Sequence, residues 1–229
     1  MKDPANFQRA TAALGLIAAA ALSVLWTVLS PPFPSGYAER LAAIDDAGTS
    51  ATVSAFAFAA SQLPMLAAVL GIAHLIRREA PVLSNVGGSL AVIGVFGHSV
   101  FAGISLATVQ MAHDADNRSV HAAVLEDLES SPVMIFAAAG LLGTVLGLLV
   151  LSIGLWRSGA VPRWIPALTW LFLVVEFVGT SMSDYAVYVS GVCLVLVFGA
   201  LARHIWQTPR ATWDLPAGTV TAPDQAVTG

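Results

Sequence analysis

Three polar residues interrupt long stretches of the chain that are otherwise apolar. Glu176 lies within the run LVVEFV at 173–178, and His98 and Gln62 lie within two other apolar stretches. An ionisable side chain inside hydrocarbon costs several kcal/mol, so each one is expected to have a partner or a function. At the helical rise of about 1.5 Å per residue, all three reach a similar depth, roughly 18 to 22 Å from one membrane face. The sequence therefore predicts a candidate buried polar site made of Glu176, His98 and Gln62.

The chemistry of this candidate site has two interpretations. A carboxyl group beside an imidazole could bind a proton or a small cationic ligand reversibly. Alternatively, Glu176 is hydrogen-bonded to one neighbour and only specifies how the helices pack.

Asp184, Tyr185 and Tyr188 follow along the chain and form a candidate outer vestibule that leads to Glu176. The alternative is an ordinary polar turn whose tyrosines belong to the interfacial aromatic belt.

Templates for catalysis and cofactor binding are missing from the sequence, which has no His-Glu-x-x-His motif, no nucleophile elbow and no P-loop. The single cysteine, Cys193, excludes an internal disulfide and a Cys-based metal site. The only lysine, Lys2, leaves no lysine in an apolar stretch for a Schiff base. His74 and His204 could ligate a haem, or could lie at the interface beside arginines. We predict no catalytic residue, no cofactor and no bound metal.

The composition identifies the broad class of the protein. Of 229 residues, 57% are hydrophobic and only 10% are charged, and the mean hydropathy is +0.78. A soluble domain carries about 25% charged residues, because its surface must stay hydrated. A soluble globular enzyme, a disordered chain and a nucleic-acid-binding protein with a basic face are therefore excluded. The remaining class is an integral membrane protein.

Six apolar stretches are each long enough to cross a bilayer, whose core of about 30 Å needs about 20 helical residues. They are 10–30, 54–75, 83–112, 132–156, 164–181 and 185–205. The fold class is therefore predicted as all-α, a polytopic bundle of six transmembrane helices within residues 1–206. The first stretch also resembles a signal peptide, but it lacks a small-x-small cleavage pattern, so we expect it to be retained. Residues 207–229 are rich in Pro, Thr, Asp and Gly, which predicts a flexible cytoplasmic tail.

The basic residues favour one orientation in the membrane. With the N-terminus inside, eight of them lie in inside segments and two lie outside, which is typical of the positive-inside rule. The inside residues are Lys2, Arg9, Arg77, Arg78, Arg157, Arg163, Arg203 and Arg210, and the outside residues are Arg40 and Arg118. We predict a plasma-membrane protein with both termini in the cytoplasm. The outside segments 31–53 and 113–131 carry apolar residues at helical spacing, which predicts two short amphipathic helices at the outer interface.

The connector between the fourth and fifth stretches reads LWRSGAVPRW at 155–164. It resembles a connector in a bacterial and actinobacterial family of membrane proteins known as domain-of-unknown-function family 4386. The resemblance implies a bundle of six or seven helices with a helical outer segment between the first two spans. It implies a location in the membrane and no particular activity.

Three classes of function are compatible with these features. The favoured class is a non-enzymatic membrane scaffold, sensor or partner subunit, which would contact the lipid bilayer and a membrane protein partner but no nucleic acid. The second class is a small-solute or proton-coupled transporter that uses Glu176 and His98. The third class is a membrane enzyme or haem protein. Transporters commonly carry broken helices and internal repeats, whereas these apolar stretches are interrupted by one central proline, Pro64, which favours the first class.

Overall fold

The computed structural model describes residues 4–183, 185–209 and 213, and these form eight α-helices with no β-strand among them. The helices are α1 (Pro4–Leu29), α2 (Tyr37–Ala47), α3 (Thr49–Ile76), α4 (Pro81–Ala112), α5 (Arg118–Ser130), α6 (Met134–Ser158), α7 (Trp164–Phe177) and α8 (Ala186–Gln207). Short 3-10 turns at Ala115–Asn117 and Gly179–Ser181 precede α5 and follow α7. Six helical segments in this part of the chain are long and apolar enough to cross a membrane: α1, α3, α4, α6, α7 with its 3-10 turn, and α8. The all-α class and the number of long apolar helices are confirmed.

The ends of the long helices follow local backbone chemistry. Gly48 takes a positive φ of 52° between α2 and α3, and α3 therefore begins at Thr49, ahead of the predicted residue 54. Pro81 opens α4, where its missing N–H needs no partner. Gly159 follows the last residue of α6 and takes the left-handed conformation with φ 63°, which ends the helix.

The six long helices form a closed ring. In order around the ring, α1 packs on α3, α3 on α4, α4 on α6, α6 on α7, α7 on α8, and α8 on α1. The main core lies between them and includes Leu16 of α1, Ile76 of α3, Leu151 of α6, and Phe198 and Leu201 of α8. Large apolar side chains also cover the outside of the ring, which suits a surface in contact with lipid chains.

Helices α4 and α6 approach each other through glycines. A Cβ atom added to Gly143 would lie 2.5 Å from the backbone nitrogen of Gly94, and one added to Gly147 would lie 2.5 Å from the backbone nitrogen of Ala91. Neither position has room for a side chain, so the two backbones are in direct contact. The Gly143-x-x-x-Gly147 pattern thus serves packing within the bundle.

The two short helices cover one end of the ring, and each of the segments 31–53 and 113–131 contains a short helix, as the sequence predicted. Helix α2 buries Leu41 and Ile44, and α5 buries Leu125. The Arg118 guanidinium at the start of α5 lies 2.9 Å from the Asp45 carboxylate of α2, which links the two helices. We call this end, where α1 ends and α3 begins, the capped end of the bundle.

The opposite end of the bundle is closed by a tryptophan. The Trp213 ring is 3% exposed and lies 4.3 Å from the His74 ring, measured between ring centroids. Its backbone carbonyl accepts a hydrogen bond of 2.6 Å from the Arg77 guanidinium. Most of the tail predicted to be flexible, 207–229, lies outside the described residues, but Trp213 is packed against α3.

Candidate functional site

An apolar chamber lies at the capped end of the bundle, between the ring of long helices and the two short helices. Its volume is about 310 Å³. The walls come from the end of α1, the segment 31–33, α2, the start of α3, the end of α4, α5 and Met134 of α6. The chamber is therefore assembled from parts of the chain that are far apart in sequence.

Aromatic side chains form the floor of the chamber. The Phe58 ring of α3 lies 4.8 Å from the Trp26 ring of α1 and 6.4 Å from the Phe101 ring of α4, measured between centroids. These distances are typical of favourable aromatic pairs. Ser54 Oγ donates to the Trp26 carbonyl at 3.0 Å and lies 2.9 Å from Ser30 Oγ, which fixes α1 against α3 beside the floor.

One cation, Arg40 of α2, lines the mouth of the chamber. Its guanidinium carbon lies 4.9 Å from the Tyr37 ring centroid and 5.8 Å from the Phe33 ring centroid, within the range of cation–π contacts. One terminal nitrogen donates to the Pro34 carbonyl at 3.3 Å. The Nε–H group is shielded from solvent and has no hydrogen-bond acceptor.

A hydrogen bond between two residues of the chamber wall joins α2 to α5. The Tyr37 hydroxyl donates to Glu129 Oε2 at 2.5 Å. This bond is the largest cause of a raised Tyr37 pKa, followed by desolvation and by the negative charge of Glu129. The Tyr37 phenol therefore keeps its proton at pH values above its ordinary pKa. At pH values below the ordinary tyrosine pKa of about 10, the bond makes its full contribution to the stability of the fold. That contribution is lost as the pH rises through the raised pKa of Tyr37.

We expect Glu129→Gln to lower the pKa of Tyr37, because the substitution removes the carboxylate that retains the phenolic proton. The chain has three tyrosines, so a Tyr185→Phe/Tyr188→Phe background leaves Tyr37 as the only source of tyrosinate absorbance. An absorbance titration in that background should show ionisation at lower pH in Glu129→Gln than in its parent. Equal titration curves would contradict the assigned role of Glu129.

Two of the sequence-predicted residues lie next to the chamber floor. The His98 ring of α4 lies 6.0 Å from the Phe58 ring, measured between centroids. The Gln62 side-chain amide donates to the Phe58 carbonyl at 3.0 Å and to Ser61 Oγ at 3.0 Å. His98 and Gln62 thus share Phe58 as a neighbour. The His98 ring lies against the Phe58 ring, and the Gln62 amide bonds the Phe58 backbone carbonyl.

Glu176 of α7 is bonded in a different part of the bundle. Its carboxylate Oε2 accepts a short hydrogen bond from the hydroxyl of the buried Ser190 of α8. Helix α7 packs on α6 and α8, whereas α4, which carries His98, packs on α3 and α6. Among the described residues, no hydrogen bond joins any two of Glu176, His98 and Gln62. Glu176 therefore pairs with α8, whereas His98 and Gln62 both adjoin Phe58.

The Glu176–Ser190 bond predicts how the pair responds to substitution. Ser190→Ala removes the donor and should lower the free energy of unfolding by about 1 to 3 kcal/mol, because the carboxyl group loses its partner. Glu176→Gln keeps a carbonyl oxygen that accepts the same bond, so its thermal unfolding in detergent should stay close to that of the parent. Ser99→Ala is the control, since that exposed serine of α4 bonds only a carbonyl of its own helix. An equal loss in Ser190→Ala and Ser99→Ala would contradict a role for the pair.

The candidate vestibule residues are only partly described. Tyr185 and Tyr188 are 79% and 57% exposed, respectively, as expected for side chains at a lipid interface. Asp184 lies outside the described residues. The predicted vestibule stays a prediction.

The histidines considered for haem are at the end opposite the chamber. His74 Nε2 lies 3.1 Å from the Trp213 carbonyl oxygen, and the backbone carbonyl of His204 accepts the Thr208 amide at 3.0 Å. No group of three or more His, Cys, Asp or Glu side chains that could hold a metal ion occurs within residues 4–183, 185–209 and 213.

Sequence reasoning missed the chamber because its lining residues look like ordinary membrane residues one at a time. The available signal was local: Phe33, Tyr37 and Arg40 stand three to four residues apart beside a proline cluster, and Arg40 is the only basic residue between residues 31 and 53. This spacing brings a cation over two aromatic rings.

Comparison with known family models, curated proteins and solved structures finds no match for this chain. The resemblance of the 155–164 connector to family 4386 stays a prediction.

Proposed function

We propose that this chain is a multi-pass plasma-membrane protein that binds a small apolar molecule in its capped-end chamber, and that it acts as a non-enzymatic sensor. Six of the basic residues that the structure describes belong to the end opposite the chamber, and two belong to the capped end. The six are Arg9, Arg77, Arg78, Arg157, Arg163 and Arg203, and the two are Arg40 and Arg118. The positive-inside rule then supports a chamber at the outer face and both termini in the cytoplasm.

The observation that carries the proposal is the chamber itself. Its volume of about 310 Å³ falls at the small end of the range for ligand sites, about 300 to 1,000 Å³. An apolar cavity of half that size, about 150 Å³, is known to stay dry and to bind a small hydrocarbon. The mainly apolar lining of this chamber therefore suits an apolar ligand.

Three hydroxyl groups of the wall are paired in a way that supports binding rather than catalysis. Ser30, Ser105 and Thr108 each donate to a carbonyl of their own helix, at 2.8, 3.1 and 2.9 Å. These hydroxyls already have acceptors, and none has a neighbouring base among its hydrogen-bond partners. Transport through Glu176 and His98 has less support, because the Glu176 carboxylate bonds Ser190 of α8 while the His98 ring lies against Phe58 of α3.

We expect a neutral alkyl alcohol carrying a terminal photoreactive diazirine to label the chamber when the protein is held in lipid nanodiscs. Mass-spectrometric mapping should find labels on floor residues such as Phe58 and Phe101. Lipid-facing Leu63, which is 77% exposed, reports background labelling from the bilayer. Excess unlabelled alcohol should reduce the chamber labels and leave the Leu63 labels unchanged, because only the chamber saturates.

Filling the chamber should remove this labelling. Ala55→Phe places a ring in the chamber from α3, and Ser105→Phe does the same from α4, so one variant remains if the other fails to fold. Ala60→Phe is the matched control, because Ala60 is exposed on the same helix as Ala55. We expect at least about a tenfold loss of chamber labels in the two filling variants, as for the loss of about 1.4 kcal/mol of binding free energy. Chamber labels that persist in folded filling variants, or that never saturate, would refute the proposed function.

A further inference from the structure

The chamber has one electrostatic feature that an apolar ligand would leave unused. Arg40 is the only basic residue in its wall, and the wall consists entirely of described residues. No carboxylate among residues 4–183, 185–209 and 213 lies within 4.0 Å of its guanidinium. The nearby Glu129 carboxylate already accepts the Tyr37 hydroxyl. Arg40 therefore lines the chamber as a cation with no anion of its own.

The hydrogen-bonding capacity of Arg40 is also only partly used. Its terminal nitrogen makes a long bond of 3.3 Å to the Pro34 carbonyl, and its shielded Nε–H has no acceptor. Because Nε is shielded, a bound molecule would accept from the terminal nitrogens, of which only one donates to another described residue.

The aromatic neighbours hold the guanidinium in place. Cation–π contacts with Tyr37 and Phe33 use the flat face of the group. The N–H donors lie in the plane of the guanidinium and so remain directed at its edge, in the fork that matches a carboxylate. Stacking thus fixes the cation and leaves its anion-binding edge for a ligand.

The shape of the chamber limits the rest of the ligand. About 310 Å³ of mainly apolar space runs from this cation to the aromatic floor. That volume suits one hydrocarbon chain and is small for the two chains of a phospholipid, since drug-sized ligands occupy pockets of up to about 1,000 Å³. The wall carries one guanidinium, Arg40, and one carboxylate, Glu129, so a head group with two negative charges is disfavoured.

We propose that the ligand is a single-chain carboxylate amphiphile, whose carboxylate accepts hydrogen bonds from Arg40 and whose hydrocarbon chain fills the chamber. This inference rests on the proposed function and specifies the chemistry of its ligand. The capped end of the bundle suits such a molecule, because the head lies at the membrane interface while the chain remains in an apolar space.

Competition for the chamber labels tests the assignment of the head group. The protein is held in nanodiscs of zwitterionic phospholipid at alkaline pH, where the carboxylate is ionised, and is labelled with the photoreactive alcohol. Palmitate, hexadecanol and hexadecyl phosphate then compete with the label. We expect palmitate to compete at a concentration about tenfold or more below that of hexadecanol, because a hydrogen bond to a charged group is strong. Hexadecyl phosphate should compete less well than palmitate.

Variants at Arg40 assign this preference to one side chain. In Arg40→Gln, palmitate should compete for the chamber labels only at the concentration that hexadecanol requires. Arg40→Lys restores the positive charge and should recover part of the preference for palmitate over hexadecanol. Competition by hexadecanol in each variant is the reference for its palmitate preference, and a thermal-unfolding midpoint close to that of the parent shows that the variant is folded. Arg118→Gln removes one positive charge from the same end of the bundle, but Arg118 pairs with Asp45 outside the chamber wall. It should keep the preference of the parent.

The outcomes separate the two proposals. Absence of saturable chamber labelling by the alcohol would refute the proposed function. Saturable labelling with equal competition by palmitate and hexadecanol would overturn only the inference about the head group. Better competition by hexadecyl phosphate than by palmitate would also overturn the assignment to a carboxylate. Loss of the palmitate preference in Arg118→Gln would show that general surface charge causes it, and would overturn the role of Arg40.

Discussion

Gly143→Ala should lower the free energy of unfolding by about 3 kcal/mol, at the upper end of the range for overpacking a well-packed interior. The added methyl group would lie 2.5 Å from the backbone nitrogen of Gly94 and 2.8 Å from the backbone oxygen of Leu90. Both neighbours are backbone atoms, which cannot rotate away as a side chain can. The two helices would have to move apart, and their interface would lose packing along its length.

Thermal unfolding in detergent measures this effect. A loss of about 3 kcal/mol corresponds to a fall of about 10 °C in the midpoint for a chain of this size. The matched control is Gly103→Ala in the same helix as Gly94, where an added Cβ meets nothing within 4 Å. The control should be neutral or stabilising by up to about 1 kcal/mol, because alanine is the better helix former. If both variants unfold at the same temperature, direct backbone contact does not hold α4 against α6.

The long helices could be predicted from the sequence because a bilayer sets their length. A span needs about 20 apolar residues whatever its neighbours are, so hydropathy alone finds it. The start of α3 and the end of α6 were harder to predict, because they depend on the backbone conformations of Gly48 and Gly159. The short helices α2 and α5 were predictable for a different reason: their apolar residues recur at helical spacing.

The candidate site was less accessible to sequence reasoning. Glu176, His98 and Gln62 were selected because polar residues stand out in apolar stretches, and the depth of each followed from its distance along a helix. Their neighbours depend on which helices adjoin in the ring and on how each helix is rotated, and neither can be read from one sequence. Ser190 illustrates the limit: an unremarkable serine on the adjacent helix becomes the partner of Glu176.

The chamber shows the same limit on a larger scale. Its floor joins Trp26, Phe58 and Phe101 from three helices, and its wall also includes Arg40 of α2 and Glu129 of α5. Most of the lining is apolar, and Arg40 and Glu129 are its charged residues. The sequence indicated that Arg40 lies in an outside segment, but only the packing of α2 across the ring turns it toward an apolar space. Function therefore depends here on how elements are combined, whereas fold class depends on the elements alone.

Trp213→Ala should lower the free energy of unfolding by about 3 kcal/mol, as for other buried aromatic side chains replaced by alanine. The ring is 3% exposed and stacks on His74, so its removal leaves a void at the end of α3. The two hydrogen bonds from His74 and Arg77 to the backbone carbonyl at 213 do not require the indole, but they would lose the packing that holds that carbonyl in place. This residue lies in a segment predicted to be flexible, so a large effect there would be unexpected from composition.

Two measurements in detergent distinguish docking from a general effect of losing a tryptophan. The midpoint of thermal unfolding should fall by about 10 °C, and amide hydrogen exchange should increase at the end of α3, next to the site of substitution. Trp206→Ala is the matched control, because Trp206 is 57% exposed on α8 and has only a distant contact with Arg9, 6.0 Å from its ring. That cation–π contact contributes at most about 1 kcal/mol to the free energy of unfolding. Equal losses in the two variants, with no change in exchange at the end of α3, would show that Trp213 is not docked there in the folded protein.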